Sequence, residues 1–184
     1  MNSKSGILPS QIIRRLSLDC NLIQEHNFDD CLSPASYELR VGSYSDANQR
    51  KILTPGEVVS VSPHSHLLLG TIEQVHLPLD IVGMMYLRST YARLGMMPWF
   101  QGLVDPGYEG ALTVVLHNMT NRTLDIAWGE QVCHIVFERM LAAADHAYSG
   151  AYVKSLGAQT AVMEPRGSRS RPSRKSARQS SPGR

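Results

Sequence analysis

Two stretches of this sequence concentrate groups able to do chemistry. In Leu87-Arg-Ser-Thr-Tyr-Ala-Arg-Leu-Gly95 an arginine stands beside two hydroxyl residues. At a strand-to-helix junction Arg88 offers a guanidinium fork, Ser89 and Thr90 offer hydroxyls, and the first helical turn offers unpaired backbone N–H groups. That inventory suits an anionic phosphate chain, although an ordinary helix start has the same composition. In Gly102-Leu-Val-Asp-Pro-Gly-Tyr-Glu-Gly110, glycines surround one acid, Asp105, and one aromatic, Tyr108. Such a turn either exposes backbone groups to a ligand or is a plain hairpin capped by its Asp. Most common enzyme signatures are missing: no phosphate-binding G-x-x-x-x-G-K-[ST] loop, no G-x-S-x-G elbow and no H-E-x-x-H helix. His64 and His66 are the only close histidines, and without a third ligand they read as surface or turn residues rather than a metal site. The three cysteines, Cys20, Cys31 and Cys133, form no C-x-x-C pair and no disulfide framework.

The elements that must hold these groups are mostly strands. The chain has 184 residues, 42% hydrophobic and 18% charged, which suits one globular domain with a real core. No run approaches the length of a membrane span. The N-terminus turns charged before it builds an apolar secretory segment, so a cytoplasmic protein is expected. Pro9-Ser10 followed by Gln11–Leu16 predicts an amphipathic helix with Ser10 as N-cap and Ile12, Ile13 and Leu16 facing inward. Beyond it come short apolar runs at 58–61, 67–69, 81–82 and 84–87, bounded by Pro55-Gly56, Pro63, Gly70, Pro78 and Gly83. The two best strands are 112–116 and 132–137, joined through the polar stretch 118–123 and a turn at Trp128-Gly129. Many short strands with one convincing helix predict a mainly β barrel or sandwich.

The net charge of +2 conceals a division. Residues 166–184 carry seven Lys/Arg and no acid, leaving 11 bases against 16 acids in the rest of the chain. With no large apolar residue, that tail cannot bury enough surface to offset its ordering entropy. The expected organisation is therefore a domain over 1–157 and a disordered basic tail over 158–184. The tail is read as a solvated extension; contact with nucleic acid is a less favoured role, because no aromatic residue is interleaved for base stacking.

Taken together and in order, four motifs resemble the superfamily of trimeric dUTPases and dCTP deaminases. Ser33-Pro-Ala-Ser-Tyr-Glu-Leu-Arg-Val-Gly42 is similar to the first motif, with Glu38 where Asp is usual. Arg88–Gly95 resembles the second and Gly102–Gly110 with its following strand the third. Gly129-Glu-Gln-Val-Cys-His-Ile-Val136 resembles the fourth, with His134 in place of Gln. The resemblance spans about residues 7–157. It implies a distorted β-barrel or jelly roll of the dUTPase type, assembled as a homotrimer with active sites between subunits.

The resemblance also distributes roles. In the deaminase branch a Glu ten residues beyond the motif-three Asp shuttles protons; here that position is Val115, which cannot, and His117 on the same strand face is a poor substitute. The dUTPase branch carries a plain apolar strand there, as Val114-Val-Leu-His-Asn118 does, and a Tyr after the Asp, as Tyr108 is. Carried over, Asp105 is the catalytic carboxylate that orients the attacking water and Tyr108 the deoxyribose platform. Gly102, Leu103 and Val104 read the base through their backbone, and Arg88, Ser89 and Thr90 clamp the triphosphate. Arg93, Thr113, Val114, Val115, His134 and Tyr148 complete the nucleotide-binding set. No protein metal site is implied; Mg2+ would arrive on the triphosphate.

The glycine-rich phosphate arm of dUTPases is missing after Arg166-Gly167, and the C-terminal part resembles the deaminase lid instead. Tyr148 and Tyr152 fit that lid, with Ala151 and Ser155 where Lys and Gln are usual. The mixture resembles the archaeal-type dUTPases of the deaminase family. The expected reaction is dUTP and water to dUMP and diphosphate. dCTP deamination and a non-catalytic nucleotide-binding regulator are the alternatives.

Overall fold

The computed structural model describes residues 5–46, 49–99 and 102–160. In chain order the elements are β1 (Gly6–Ile7), α1 (Ser10–Cys20), β2 (Ile23–Gln24), α2 (Phe28–Cys31), β3 (Leu32–Ser33), β4 (Ser36–Ser45), β5 (Arg50–Ile52) and β6 (Val58–Val61). They continue with β7 (His66–His76), β8 (Ile81–Leu87), α3 (Ser89–Arg93), β9 (Met96–Pro98), β10 (Leu103–Val104), β11 (Glu109–Asn118), β12 (Leu124–Ala127) and β13 (Gln131–Arg139). The main sheet runs β10-β8-β13-β4-β7-β11-β9, with every pairing antiparallel, and β12 pairs with β6 in a small second sheet.

β4 curls this sheet into a half-barrel. Its first half pairs with β13 from Tyr37 to Arg40, its second with β7 from Val41 to Ser45, and the register shifts between Val41 and Ser43. A bulge there bends the strand and increases its twist. Gly42 sits at the bend, where a Cβ would stand 2.7 Å from the Ile72 side chain. The concave side is filled by Tyr37, Leu39, Leu69, Ile81, Leu116, Ile135 and Phe137, with Ile13 of α1 and Leu22 against them. Inside this core Glu73 is fully buried. It accepts from the Arg40 backbone N–H (2.8 Å) and Nε (2.6 Å), and burial still pushes its carboxyl pKa up against the pull of Arg40.

The mainly β reading is met, with local corrections. Ile13 of α1 is buried and Ile12 and Leu16 half-buried, as the periodicity requires. Ser10, however, is the first helical residue and not the cap: Pro9 is the N-cap, no side chain caps, and the Pro34 carbonyl accepts from the Ser10 N–H at 2.9 Å. Gly83 lies inside β8 rather than ending it, and glycine is needed there because a Cβ would stand 2.9 Å from Ile135 and 3.2 Å from Val104. The connection between the two best strands holds a strand of its own, β12. His64, in the left-handed region at φ 54°, hydrogen-bonds Asn121 at 2.8 Å, in line with a turn residue.

The packed chain also runs past 157. Ala158 is fully buried with its N–H donating to Ser43 Oγ (2.8 Å), and the Gln159 N–H donates to Thr113 Oγ1 (3.0 Å). Residues 161–184, where most of the expected basic tail falls, lie outside the described residues. Among the described residues no helix is long and apolar enough to cross a membrane.

Candidate active site

The turn Asp105-Pro-Gly-Tyr108 is built from its residue types. Pro106 supplies the fixed φ of the first corner, Gly107 takes φ 78° at the second, and the Tyr108 N–H donates back to the Asp105 carbonyl at 3.1 Å. The turn is fastened to the end of β7, with the Gly107 N–H on the Leu77 carbonyl (2.9 Å) and the Leu77 N–H on that of Tyr108 (3.0 Å). Among the described residues only the Asp105 backbone is engaged, and the residue stands exposed at the edge of a hollow.

That hollow is a cavity of about 460 Å³ lined by β10, the turn, β11 and the C-terminal segment. Its walls include Gly102, Leu103, Val104, Asp105, Tyr108, Thr113, Val115 and Tyr148. With Tyr152 and Ser155, which line it too, ten of the residues singled out in the sequence are thus brought together. Tyr108 is buried, donates its hydroxyl to the Ala111 carbonyl (2.7 Å), and packs its ring 5.6 Å from that of Tyr148. Asp105 also borders a second hollow of about 370 Å³ with His146 and Ala147, so solvent reaches its carboxylate from two sides.

Which face of β11 lines the cavity is set by a bulge between Ala111 and Thr113. After it, Thr113, Val115 and His117 point one way and Val114, Leu116 and Asn118 the other. Val114 is therefore a core residue, 4% exposed, with its side chain turned away from the cavity, so of this residue the backbone is what a ligand could meet. Val115 pairs with Leu68 of β7, and the two make an apolar patch in the wall. His117 shares that face but lies two pairs further along, opposite His66, under the Trp99 ring at 5.4 Å, and is not part of the wall.

Arg88, Ser89, Thr90, Arg93 and His134 do not line this cavity. They belong to a separate cluster at the β8–α3 junction. Arg88 is the N-cap of α3, as the strand-to-helix reading expects, and Ser89, Thr90 and Arg93 are exposed. The Arg88 guanidinium is held from two sides: Nε meets Glu38 Oε2 at 3.0 Å, and Nη1 donates to the Gln131 side-chain and backbone oxygens at 3.0 and 3.1 Å. His134 is the register partner of Glu38 and stacks obliquely on Tyr86. Burial and the Arg88 charge hold the His134 pKa below its ordinary 6.5, against the opposing pull of Glu38. Glu38 and His134 occupy two positions where the motifs depart from the usual residues, and they are neighbours in space.

Sequence reasoning missed Gln159 and Gln131. Gln131 lay inside a quoted motif but its Arg88 contact comes from β13 pairing beside β8. Gln159 reaches the cavity because the segment 147–159 is laid over the turn and β11. The Tyr148 N–H donates to the Pro106 carbonyl (2.8 Å), the Ala111 N–H to Ser155 (2.8 Å), and Gly110 bridges to Ser155. A Cβ on Gly110 would stand 2.7 Å from the Ser155 nitrogen, which is why glycine is needed there. Among the described residues no group of three or more His, Cys, Asp or Glu side chains could hold a metal ion.

Comparison with known proteins fits this geometry. Residues 7–140 match the family described as dCTP deaminase-like. A dCTP deaminase from Thermococcus kodakarensis is 36% identical over 148 residues, covering 79% of this chain and 91% of that protein. A probable deoxyuridine 5'-triphosphate nucleotidohydrolase from Sulfolobus islandicus rod-shaped virus 1 is 36% identical over 103 residues, covering 55% of this chain and 63% of that protein. Among solved structures, the 2'-deoxycytidine 5'-triphosphate deaminase from Agrobacterium tumefaciens superposes with a TM-score of 0.63 at 20% identity. That likeness of fold covers 73% of this chain and 48% of the other.

Proposed function

The chain belongs to the dCTP deaminase-like family, and we propose that within it this protein is a hydrolase of the dUTPase type, converting dUTP and water to dUMP and diphosphate. One observation carries the choice: Val115 and Leu68 form an apolar wall where deamination would need an acid-base group. Replacing the amino group of cytosine requires a proton to leave the attacking water and another to reach the departing nitrogen. Two aliphatic side chains move neither, and a positioned acid-base group is worth about 10²–10⁴ in rate.

Hydrolysis at the α-phosphorus asks less of the protein. It needs an oriented water, a held phosphate chain and neutralised charge, and positioning with electrostatics supplies most of the acceleration. Asp105 would orient and take the proton from the water; Tyr108 would carry the deoxyribose on its ring, where a 2'-hydroxyl would clash. The backbone of Gly102, Leu103 and Val104 would pair with the base. Arg88, with Ser89, Thr90 and Arg93, would clamp the triphosphate, His134 beside them. Magnesium would enter as part of the substrate, on the phosphates, where it would neutralise charge.

The Arg88 cluster and the cavity are distinct surfaces of one chain. A homotrimer in which a neighbour presents Arg88 to the cavity would complete the site, and this is the assembly we propose.

A second reading, dCTP deaminase, is favoured by the name of the Thermococcus relative. Purified protein with magnesium, offered dUTP and dCTP separately, decides between them. dUMP from dUTP with dCTP untouched supports hydrolysis, and dUTP or dUMP formed from dCTP supports deamination.

A further inference from the structure

We infer that Gln159 is a specificity residue of the cavity, its Oε1 accepting a hydrogen bond from the imide N–H of a uracil ring. The inference rests on the reading that the cavity holds the base of a pyrimidine nucleotide.

The backbone around Gln159 is fixed. Its own N–H donates to Thr113 Oγ1 (3.0 Å), and that of Ala158 donates to Ser43 Oγ (2.8 Å). The side chain is fixed as well. Nε2 donates to the carbonyl of Gly157 at 3.2 Å and to that of Leu156 at 3.4 Å. Carbonyl oxygens only accept, so the NH2 end of the amide must face them, and the choice between the two amide orientations is closed. Oε1 is left over, and among the described residues no donor serves it.

Gln159 lines the cavity beside Thr113 and Val115. Around it the wall is apolar, made of Leu68, Met85, Leu112 and Val115. Gln159 is half-buried, so a base filling the cavity would shut out its remaining water, and an unmatched partner would then lose that water and gain nothing. A lone acceptor favours a ring that presents N–H and disfavours one that presents a bare ring nitrogen. Uracil carries N–H at ring position 3, and cytosine carries a lone pair there.

The test is equilibrium binding to the full chain of the α,β-imido analogue of dUTP and its N3-methyl derivative, which lacks the N–H. The wild type should bind the parent about tenfold or more tightly than the methyl derivative, the scale of one hydrogen bond in a desolvated site. Gln159→Leu should bind both alike, while Gln159→Glu, which keeps an acceptor, should restore the preference. Gln159→Leu with the wild-type preference overturns the assignment and leaves the hydrolase reading standing. If the wild type binds no uracil nucleotide, that reading falls and the inference with it.

Discussion

Arg88 is held in place by the protein before any ligand arrives, between Glu38 on one side and Gln131 on the other. Such preorganisation removes the ordering cost of a long side chain when an anion binds. Asp105 is the opposite case, a carboxylate whose backbone is locked and whose oxygens are open to solvent. Asp105→Asn keeps the shape of the turn and removes the proposed base. It should cut hydrolysis by about 10²-fold or more while nucleotide affinity changes little; full turnover in steady-state assays would take Asp105 out of the mechanism. His134 supplies a pH-dependent test of the other cluster. Because its folded pKa lies below 6.5, the unfolded chain takes up the proton first. The stability it contributes is therefore complete above pH 6.5 and is lost as pH falls through the lowered folded value. His134→Gln should show a smaller fall in Tm between pH 7.5 and 5.5 than the wild type, and an equal fall would contradict the sign argued here. At this scale the sequence set Asp105 and Tyr108 on one turn and Arg88 at a strand-to-helix junction, where the structure has them. The Glu38–Arg88 pair was not legible, because it depends on β4 and β8 flanking the same strand, β13.

β11 and the strap laid over it decide which residues face the ligand. Strand alternation was readable from 112–116, but the bulge between Ala111 and Thr113 was not, since nothing in the residue types marks it. It puts Thr113 and Val115 in the cavity wall and turns Val114 to the core. The strap lies close enough that its backbone meets the sheet directly. Gly70 shows this: a Cβ there would stand 2.1 Å from the Ala158 nitrogen and 2.2 Å from Ser43 Oγ. Gly70→Ala should lift 157–159 off the sheet and leave most of the β core intact. The expected outcome is faster proteolysis C-terminal to Tyr152 and a KM raised several-fold, with stability lowered by the roughly 1–3 kcal/mol of an overpacked site. A variant with unchanged cleavage and KM would show that the strap does not depend on this contact. A segment so poor in regular structure left little periodicity to read, which is why Gln159 escaped notice.

At the level of the whole molecule, the half-barrel was legible as a class and not as a topology. Short apolar runs at even spacing announced many strands. That β4 serves both halves of the sheet, and that β12 pairs with β6 far away in sequence, are long-range choices made by packing of Tyr37, Phe137 and Ile126 in the core. The fold places an acid and an aromatic platform at one end of a cavity and an apolar patch in its wall, with the arginine cluster elsewhere on the surface. That division is what the proposed hydrolase, sharing its phosphate clamp between copies, would use.

The central claim is that water attacks phosphorus and not the pyrimidine ring. It is tested by turning over dUTP and dCTP with magnesium in ¹⁸O-labelled water and locating the label by mass spectrometry. The account predicts dUMP from dUTP with the label in its phosphate, an unlabelled base, and no uracil product from dCTP. Label at the C4 oxygen of a uracil ring derived from dCTP would contradict it.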